Sequence, residues 1–139
     1  MSMKFNVTTE KPVDIEIEVD GKSEHISFYP TDLAVRERFY AAYENLKSYQ
    51  PKEIAPTVDE NGVSNAELEN TRELLRFTNF LGEQVDGIYG EGTAKLLTSG
   101  RCEPTQLIRF ICETARYFTQ TSDRLIKQYT KAIGNGVME

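Results

Sequence analysis

The side chains that could ligate a metal or act as a nucleophile are few and widely spaced in this chain. His25 is the single histidine among 139 residues, and Cys102 and Cys112 are the two cysteines. A zinc site needs several such ligands close together, and a nucleophilic triad needs a base and an orienting group beside the nucleophile. We therefore predict no enzyme activity, no metal site and no cofactor. A polar pair between His25 and Glu16, on adjacent strands, is the simpler interpretation.

The cysteines also bear on the compartment and on covalent cross-links. We interpret the segment that contains Cys102 and Cys112 as one helix, in which a rise of ~1.5 Å per residue would separate them by roughly 15 Å. That distance is too long for a disulfide. We expect reduced thiols that pack as small hydrophobic side chains in a cytoplasmic protein. No apolar run approaches the ~20 residues of a membrane span, so we predict no membrane partner.

Two further stretches superficially resemble ligand-binding motifs. Residues 57–62 are similar to a calcium loop, but aligning Gly62 with its turn glycine places Thr57 and Leu68 where the end ligands should be carboxylates. We interpret residues 50–63 as a solvated loop. The glycine-rich residues 85–93 lack the Gly-Lys-Ser/Thr ending of a phosphate-binding loop and follow a helix rather than a strand.

Residues 85–93 instead predict a structural corner between two helices. Three glycines interrupt an otherwise amphipathic helical pattern, and each would cost ~1 kcal/mol relative to alanine inside a helix. Ile88 and Tyr89 are available to attach the turn to a hydrophobic core. The residues of this predicted corner are Asp86, Gly87, Tyr89, Gly90, Glu91, Gly92 and Thr93.

The charge of the chain argues against nucleic acid as its main partner. The formal net charge is −6, and the basic residues are scattered among acidic ones instead of forming a patch. Binding to phosphates requires clustered lysine and arginine side chains. We therefore predict no nucleic-acid partner.

The first thirty residues predict β structure. Apolar residues alternate with acidic ones from Val13 to Val19, which is the period of a half-buried strand. Asp20 and Gly21 form the signal for a two-residue hairpin turn. With that turn, Val13 lies opposite Phe28, and residue 15 lies opposite residue 26. Residues 4–8 could supply a third strand, because an isolated hairpin is only marginally stable.

The rest of the sequence predicts helices. Thr31 or Asp32 is a suitable N-cap for a helix that extends to Pro51. Ser64 and Glu67 form a capping box for the helix that leads to the corner. Pro104 opens the final helix, in which the poor helix formers at 119–122 allow a kink or a break.

Together these patterns predict an α+β fold in a single domain, residues 1–139. Its parts are an N-terminal β-hairpin or three-stranded meander (1–30), a mainly α-helical body of three to four helices (31–133) and a flexible tail (134–139).

The order of elements resembles a family of tail assembly chaperones from long-tailed phages that infect Gram-positive hosts. The family pattern has Tyr-Pro-Thr-Asp-Leu and Phe-Tyr-Ala-Ala-Tyr-Glu-Asn-Leu in its first helical region, found here at 29–33 and 39–46. A Gly-Glu-Gly-Thr corner follows, here residues 90–93, preceded by Asp86 and Tyr89, where family members often have phenylalanine. Lys95, Leu96, Leu97 and Gly100 come next, and then the segment 106–111.

This resemblance implies a non-enzymatic protein of the host cytoplasm. Such proteins are thought to coat the tape-measure protein during tail morphogenesis, so the implied partners are tape-measure and tail proteins and other copies of the chain. We hypothesise that Ile108, Phe110 and Phe118, if exposed on the final helix, contribute to this binding surface. The alternative is that they fill the core of the monomer.

The corner is also similar to a signature of peptidoglycan-binding modules, Val-Asp-Gly-Ile-Phe-Gly-x-x-Thr. In that alternative, residues 85–93 would line a groove that contacts glycan. Those modules continue with Ala-Val-x-x-Phe-Gln, whereas residues 94–100 here differ. The predicted hairpin and long last helix also have no counterpart in such a compact three-helix unit.

Overall fold

Two strands and four helices make up the part of the chain that the structure, a computed structural model, describes: residues 1–8, 10–50 and 57–136. The predicted α+β arrangement, with an N-terminal hairpin followed by helices, is confirmed. None of the described helices is both long enough and apolar enough to cross a bilayer. The elements are β1 (Val13–Val19), β2 (Lys22–Phe28), α1 (Leu33–Ser48), α2 (Glu67–Tyr89), α3 (Thr93–Thr98) and α4 (Thr105–Gly136).

The hairpin has the predicted register. Val13 pairs with Phe28 and Val19 pairs with Lys22 across the antiparallel strands. Asp20 and Gly21 have φ angles of 51° and 80°, as the tight hairpin turn requires at both central positions. The turn therefore sets the register that directs the apolar side chains of both strands toward the helices.

The predicted third strand is absent from the described residues, where the sheet contains β1 and β2 alone. Residues 4–8 have no regular structure, and their side chains are exposed. Glu10, which lies between these residues and β1, has contacts elsewhere. Its carboxylate accepts hydrogen bonds from the Thr31 hydroxyl and from Arg124, each at 3.2 Å. These bonds attach the chain before β1 to the β2–α1 connection and to α4.

The core is organised around three phenylalanine rings from distant parts of the sequence. Phe118 stacks on Phe39 with ring centroids 4.1 Å apart and planes within 9°. The Phe118 ring also stacks on Phe28 at 5.6 Å, so one residue of α4 joins the hairpin to α1. The buried residues around these rings are Ala42, Leu81, Val85, Ile88, Tyr89, Leu107 and Ile111.

The N-terminal ends of α1 and α2 bear on two predictions about helix caps. Asp32 is the N-cap of α1, as predicted, and its Oδ1 accepts a hydrogen bond from the Ala34 amide at 2.9 Å. The capping box is wrong. Ser64 Oγ accepts from the amide of Ala66, two residues later, and the helix begins at Glu67. Ser64 is held in the preceding turn because its backbone pairs with Val58.

The last helix is longer and more regular than predicted. It continues through residues 119–122, so the predicted break is absent, and it extends to Gly136, three residues past the predicted boundary at 133. Residues 137–139 of the predicted flexible tail and residues 51–56 of the predicted loop lie outside the described residues. The prediction that the first helix extends to Pro51 is wrong, because α1 ends at Ser48 and Tyr49 already has an extended backbone with ψ of 121°.

Candidate functional site

The glycine corner turns the chain between α2 and α3 as predicted. Gly90 and Gly92 have φ angles of 120° and 90°, conformations that residues with a side chain rarely adopt. The Gly90 amide donates to the Asp86 carbonyl at 3.0 Å, and Asp86 Oδ1 accepts from the Ala94 amide at 2.9 Å. One aspartate residue thus ends α2 through its backbone and stabilises the start of α3 through its side chain.

The aromatic side chain of the corner is directed into the core. Tyr89 is buried and packs edge-on against Phe28 and Phe110, with ring centroids 5.2 and 4.8 Å away. Its hydroxyl is hydrogen-bonded to Thr114. Burial raises the pKa of Tyr89 well above its usual range, because the phenolate would lose its hydration. The prediction that Ile88 and Tyr89 attach the corner to the core is confirmed, since both are buried.

Two further polar groups of the corner form hydrogen bonds within the chain. Thr93 Oγ1 donates to the Gly90 carbonyl at 2.7 Å. The Gly87 carbonyl accepts from Arg38 at 3.1 Å, which joins the corner to α1. Glu91 is exposed. The geometry supports the structural role predicted for this segment, because its hydrogen bonds set the angle between two helices.

The predicted binding surface on α4 needs correction. Phe118 is 0% exposed and lies at the centre of the core, so the expectation that it is exposed is wrong. Ile108 and Phe110 are half-buried and pack against the same core. The reason is the helical period: buried residues recur at 107, 111, 114, 118 and 125, and they form one continuous face of α4.

The exposed apolar side chains of α4 lie beyond that buried face. Ile126, Tyr129 and Ile133 are 65%, 40% and 67% exposed. Their spacing of three and four residues places them on one side of the helix. We call these three residues the α4 stripe. The apolar pattern of α4 continues past Leu125, whereas the buried residues end there.

A polar cluster around Arg36 was missed in the sequence. The guanidinium donates to the carbonyls of Pro30 and Phe118 at 2.9 and 3.1 Å and to Thr121 Oγ1 at 2.9 Å. It also donates to the hydroxyls of Ser122 at 2.7 Å and Tyr40 at 3.4 Å. The hydroxyls of Thr121 and Ser122, two of the poor helix formers within α4, are thus hydrogen-bonded to a side chain of α1. The one sequence signal was the presence of those hydroxyls between apolar positions.

A groove of about 470 Å³ lies between β1 and the α3–α4 junction. Residues 15–19 of β1 and Asp20 of the hairpin turn form one wall, and Leu97 and Phe110 supply apolar surface on the helical side. Arg109 lies at the groove and forms an ion pair with Glu113 at 2.9 Å. The Glu103 carboxylate also lies there. Hydrogen bonds from the Thr105 hydroxyl and amide lower the pKa of Glu103, because they stabilise its charged form.

The residues considered for metal or nucleophilic chemistry do not converge. His25 lies opposite Glu16 in the register, as predicted, but its Nδ1 contacts Asp14 Oδ2 at 3.0 Å. Asp59 Oδ1 accepts from the amides of Asn61 and Val63, so this carboxylate of the calcium-like loop binds its own backbone. Across the described ranges, no group of three or more potential ligands is placed to hold a metal ion.

The environment of the two cysteines differs from the predicted one. Both are free and exposed, so the expectation that they pack as small hydrophobic residues is wrong. Cys102 precedes α4, which begins at Thr105, and only Cys112 lies in the helix. Gly100, with φ of 78°, follows the C-cap of α3, and Cys102 lies in the connection between α3 and α4.

No family model, curated protein or solved structure matches this chain.

Proposed function

We propose that the protein is a non-enzymatic tail assembly chaperone that binds the tape-measure protein and self-associates during tail morphogenesis in the host cytoplasm. The observation that carries this proposal is the α4 stripe, whose three large apolar side chains are exposed because they lie on α4 past Leu125, the last buried residue of the helix. Exposed apolar residues are ordinary when they are scattered, but a row on one helix face is typical of a surface that binds another protein.

The spacing of the stripe fits a helical or grooved partner. Residues at i, i+3 and i+7 are the positions through which an amphipathic helix packs on another helix or in a groove. A partner that covers Ile126 and Ile133 would remove their side chains from water, and each isoleucine contributes ~1.5–3 kcal/mol when fully buried.

The resemblance in sequence supplies the identity of the partner. The glycine corner and the order of hairpin and helices support membership of the tail chaperone group, whose proteins coat the tape measure. The corner contributes to this function indirectly. It fixes α3 against α2 and so positions the core on which the first half of α4 packs.

The experiment is co-expression of the tagged protein with the tape-measure protein encoded near its gene, followed by affinity capture. Replacing Ile126 and Ile133 with glutamine keeps the helix-forming tendency of α4 but removes the apolar surface. We expect capture to fall at least ~10-fold, because two buried isoleucines contribute more than ~1.4 kcal/mol. Replacing Gln128 and Lys131 with alanine changes the opposite face and should leave capture unchanged.

Two results would contradict the proposal. One is a tape-measure protein that is not retained by the wild-type chain. The other is retention of the purified protein on cell-wall sacculi, which would support the alternative of a peptidoglycan-binding accessory module that uses residues 85–93. For that alternative, Gly92→Ala would be expected to reduce binding to sacculi, whereas the glutamine variant in α4 would not.

A further inference from the structure

The N-terminal residues 1–8, here called the arm, have the sequence pattern of a strand that lacks a partner. Apolar residues occupy the odd positions and polar residues the even positions, which is the period of a strand with one apolar face. Met3, Phe5 and Val7 are 86%, 79% and 72% exposed, and the arm has no regular structure. Its apolar face is therefore uncovered within a single copy of the chain.

A vacant strand position exists on the hairpin. β1 pairs with β2 along one edge, and among the described residues no strand pairs with its other edge. The two-residue turn makes Val19 and Lys22 a hydrogen-bonded pair, so the odd residues of β1 direct their backbone groups toward β2. The amides and carbonyls of Asp14, Glu16 and Glu18 consequently face the free edge.

The groove beside this edge can accept a strand. Its wall contains residues 15–19 of β1, and Leu97 and Phe110 provide apolar surface beneath it. At ~3.3 Å per residue, the arm spans roughly 26 Å and β1 roughly 23 Å, so their lengths match. An added strand would bury its odd residues on the side of the groove and leave its even residues on the polar face.

Charge determines which strand fits. If β1 of one copy paired with β1 of another, their acidic residues at 14, 16 and 18 would come together, and opposed like charges are destabilising. The arm carries Lys4 and has no acidic residue. An antiparallel register with Lys4 opposite Glu16 also places Phe5 opposite Ile15 and residue 3 opposite residue 17. Every apolar residue of the arm then lies beside an apolar residue of β1.

We propose that the arm of one copy adds to the free edge of β1 in a second copy, in the register that places Lys4 opposite Glu16. The structure of a single copy favours a second copy over a return within the same chain. In that single copy, residues 4–8 do not pair with β1, and the side chains of Phe5 and Val7 are exposed.

This mode of self-association deepens the proposed function, and it rests on that proposal only for its biological role. The arm and the α4 stripe are different surfaces. If the arm of one copy does not pair with β1 of another, but the protein still captures the tape measure, the inference is refuted and the proposed function stands. If the arms do pair between copies, but the tape measure is not captured, the proposed function is refuted and the inference stands.

Disulfide trapping between two chains tests the register directly. In a background with Cys102→Ser and Cys112→Ser, Lys4→Cys is placed in one tagged chain and Glu16→Cys in another, and the two are mixed and oxidised. The predicted pair has Cα atoms ~5.5 Å apart, within the range of a disulfide. We expect a cross-linked heterodimer. Lys4→Cys mixed with Ser23→Cys, on the other strand, is the matched control and should give little product.

Charge reversal provides a second measurement that does not depend on cysteine chemistry. By sizing chromatography, Lys4→Glu should weaken self-association several-fold, and Glu16→Lys in the same chain should restore it. The inference is overturned if the mixed single-cysteine chains fail to cross-link. It is also overturned if a chain that carries both cysteines closes the disulfide only within itself, because the arm would then pair in its own copy.

Discussion

Replacing Phe118 with alanine should remove a large part of the stability of the protein. The ring is 0% exposed and stacks on both Phe39 and Phe28. Deleting a buried phenylalanine side chain costs ~3–5 kcal/mol through lost burial and the cavity left behind. We take the middle of this range, ~4 kcal/mol, as the expected loss in the free energy of unfolding, and this value includes the lost ring stacking.

The corresponding change in melting temperature follows from the size of the chain. An unfolding entropy of ~2.1 cal/mol/K per residue gives ~0.3 kcal/mol/K for 139 residues. A loss of ~4 kcal/mol should therefore lower Tm by roughly 14 °C. Differential scanning calorimetry measures this shift, and urea denaturation followed by circular dichroism gives the free energy independently.

Phe80→Ala is the matched control, because it deletes the same atoms from a side chain that is 39% exposed. It should cost less than half as much as Phe118→Ala. The reasoning is refuted if the two variants lose equal stability. It is also refuted if Phe118→Ala keeps the wild-type Tm while self-association is lost, because Phe118 would then act at a surface, as the sequence pattern had suggested.

Three further predictions concern the polar cluster, the corner and a helical glycine. Arg36→Lys keeps the charge but cannot reproduce the planar set of five hydrogen bonds, so urea denaturation should show a loss of ~2 kcal/mol or more. Burial raises the pKa of Tyr89 above that of the unfolded tyrosine, so above pH ~10 the unfolded state loses its proton first. The free energy of unfolding should therefore be unaffected below pH ~10 and should fall by up to ~1.4 kcal/mol per pH unit above it. Tyr89→Phe should cost ~1 kcal/mol at pH 8, and this difference should shrink at pH 11; a constant difference would contradict the assigned burial. Gly90→Ala should lower the free energy of unfolding by ~1–3 kcal/mol, because a φ angle of 120° is strained for alanine. Gly82→Ala within α2 should raise it by up to ~1 kcal/mol, because alanine favours the helix and the new Cβ would lie 3.6 Å from Ala94 Cβ, an ordinary contact. Equal effects of the two glycine variants on Tm would contradict the strain argument.

The hairpin and the corner were accessible from sequence because their signals are local. Alternation from Val13 to Val19 and the Asp20-Gly21 turn together determine which residues oppose each other, and the structure has that register. The corner could be found because closely spaced glycines in a helical pattern leave few conformations other than a turn.

The features that sequence reasoning missed depend on contacts between distant segments. A helical period shows that residues 111, 118 and 125 share a face, but it does not show how far along α4 the neighbouring elements reach. That extent decides that Phe118 is buried and Ile126 is exposed. The bonds of Arg36 join α1 to a segment more than eighty residues later, and no local pattern reports such a contact.

The stack of Phe28, Phe39 and Phe118 has a consequence for the newly made chain. Translation completes the hairpin and α1 long before the ribosome reaches the ring that joins them. Until α4 emerges, two large aromatic side chains lack the partner that covers them in the native state. A nascent chain halted before residue 105 should therefore remain sensitive to proteases, and native structure should form late, after most of α4 has left the exit tunnel.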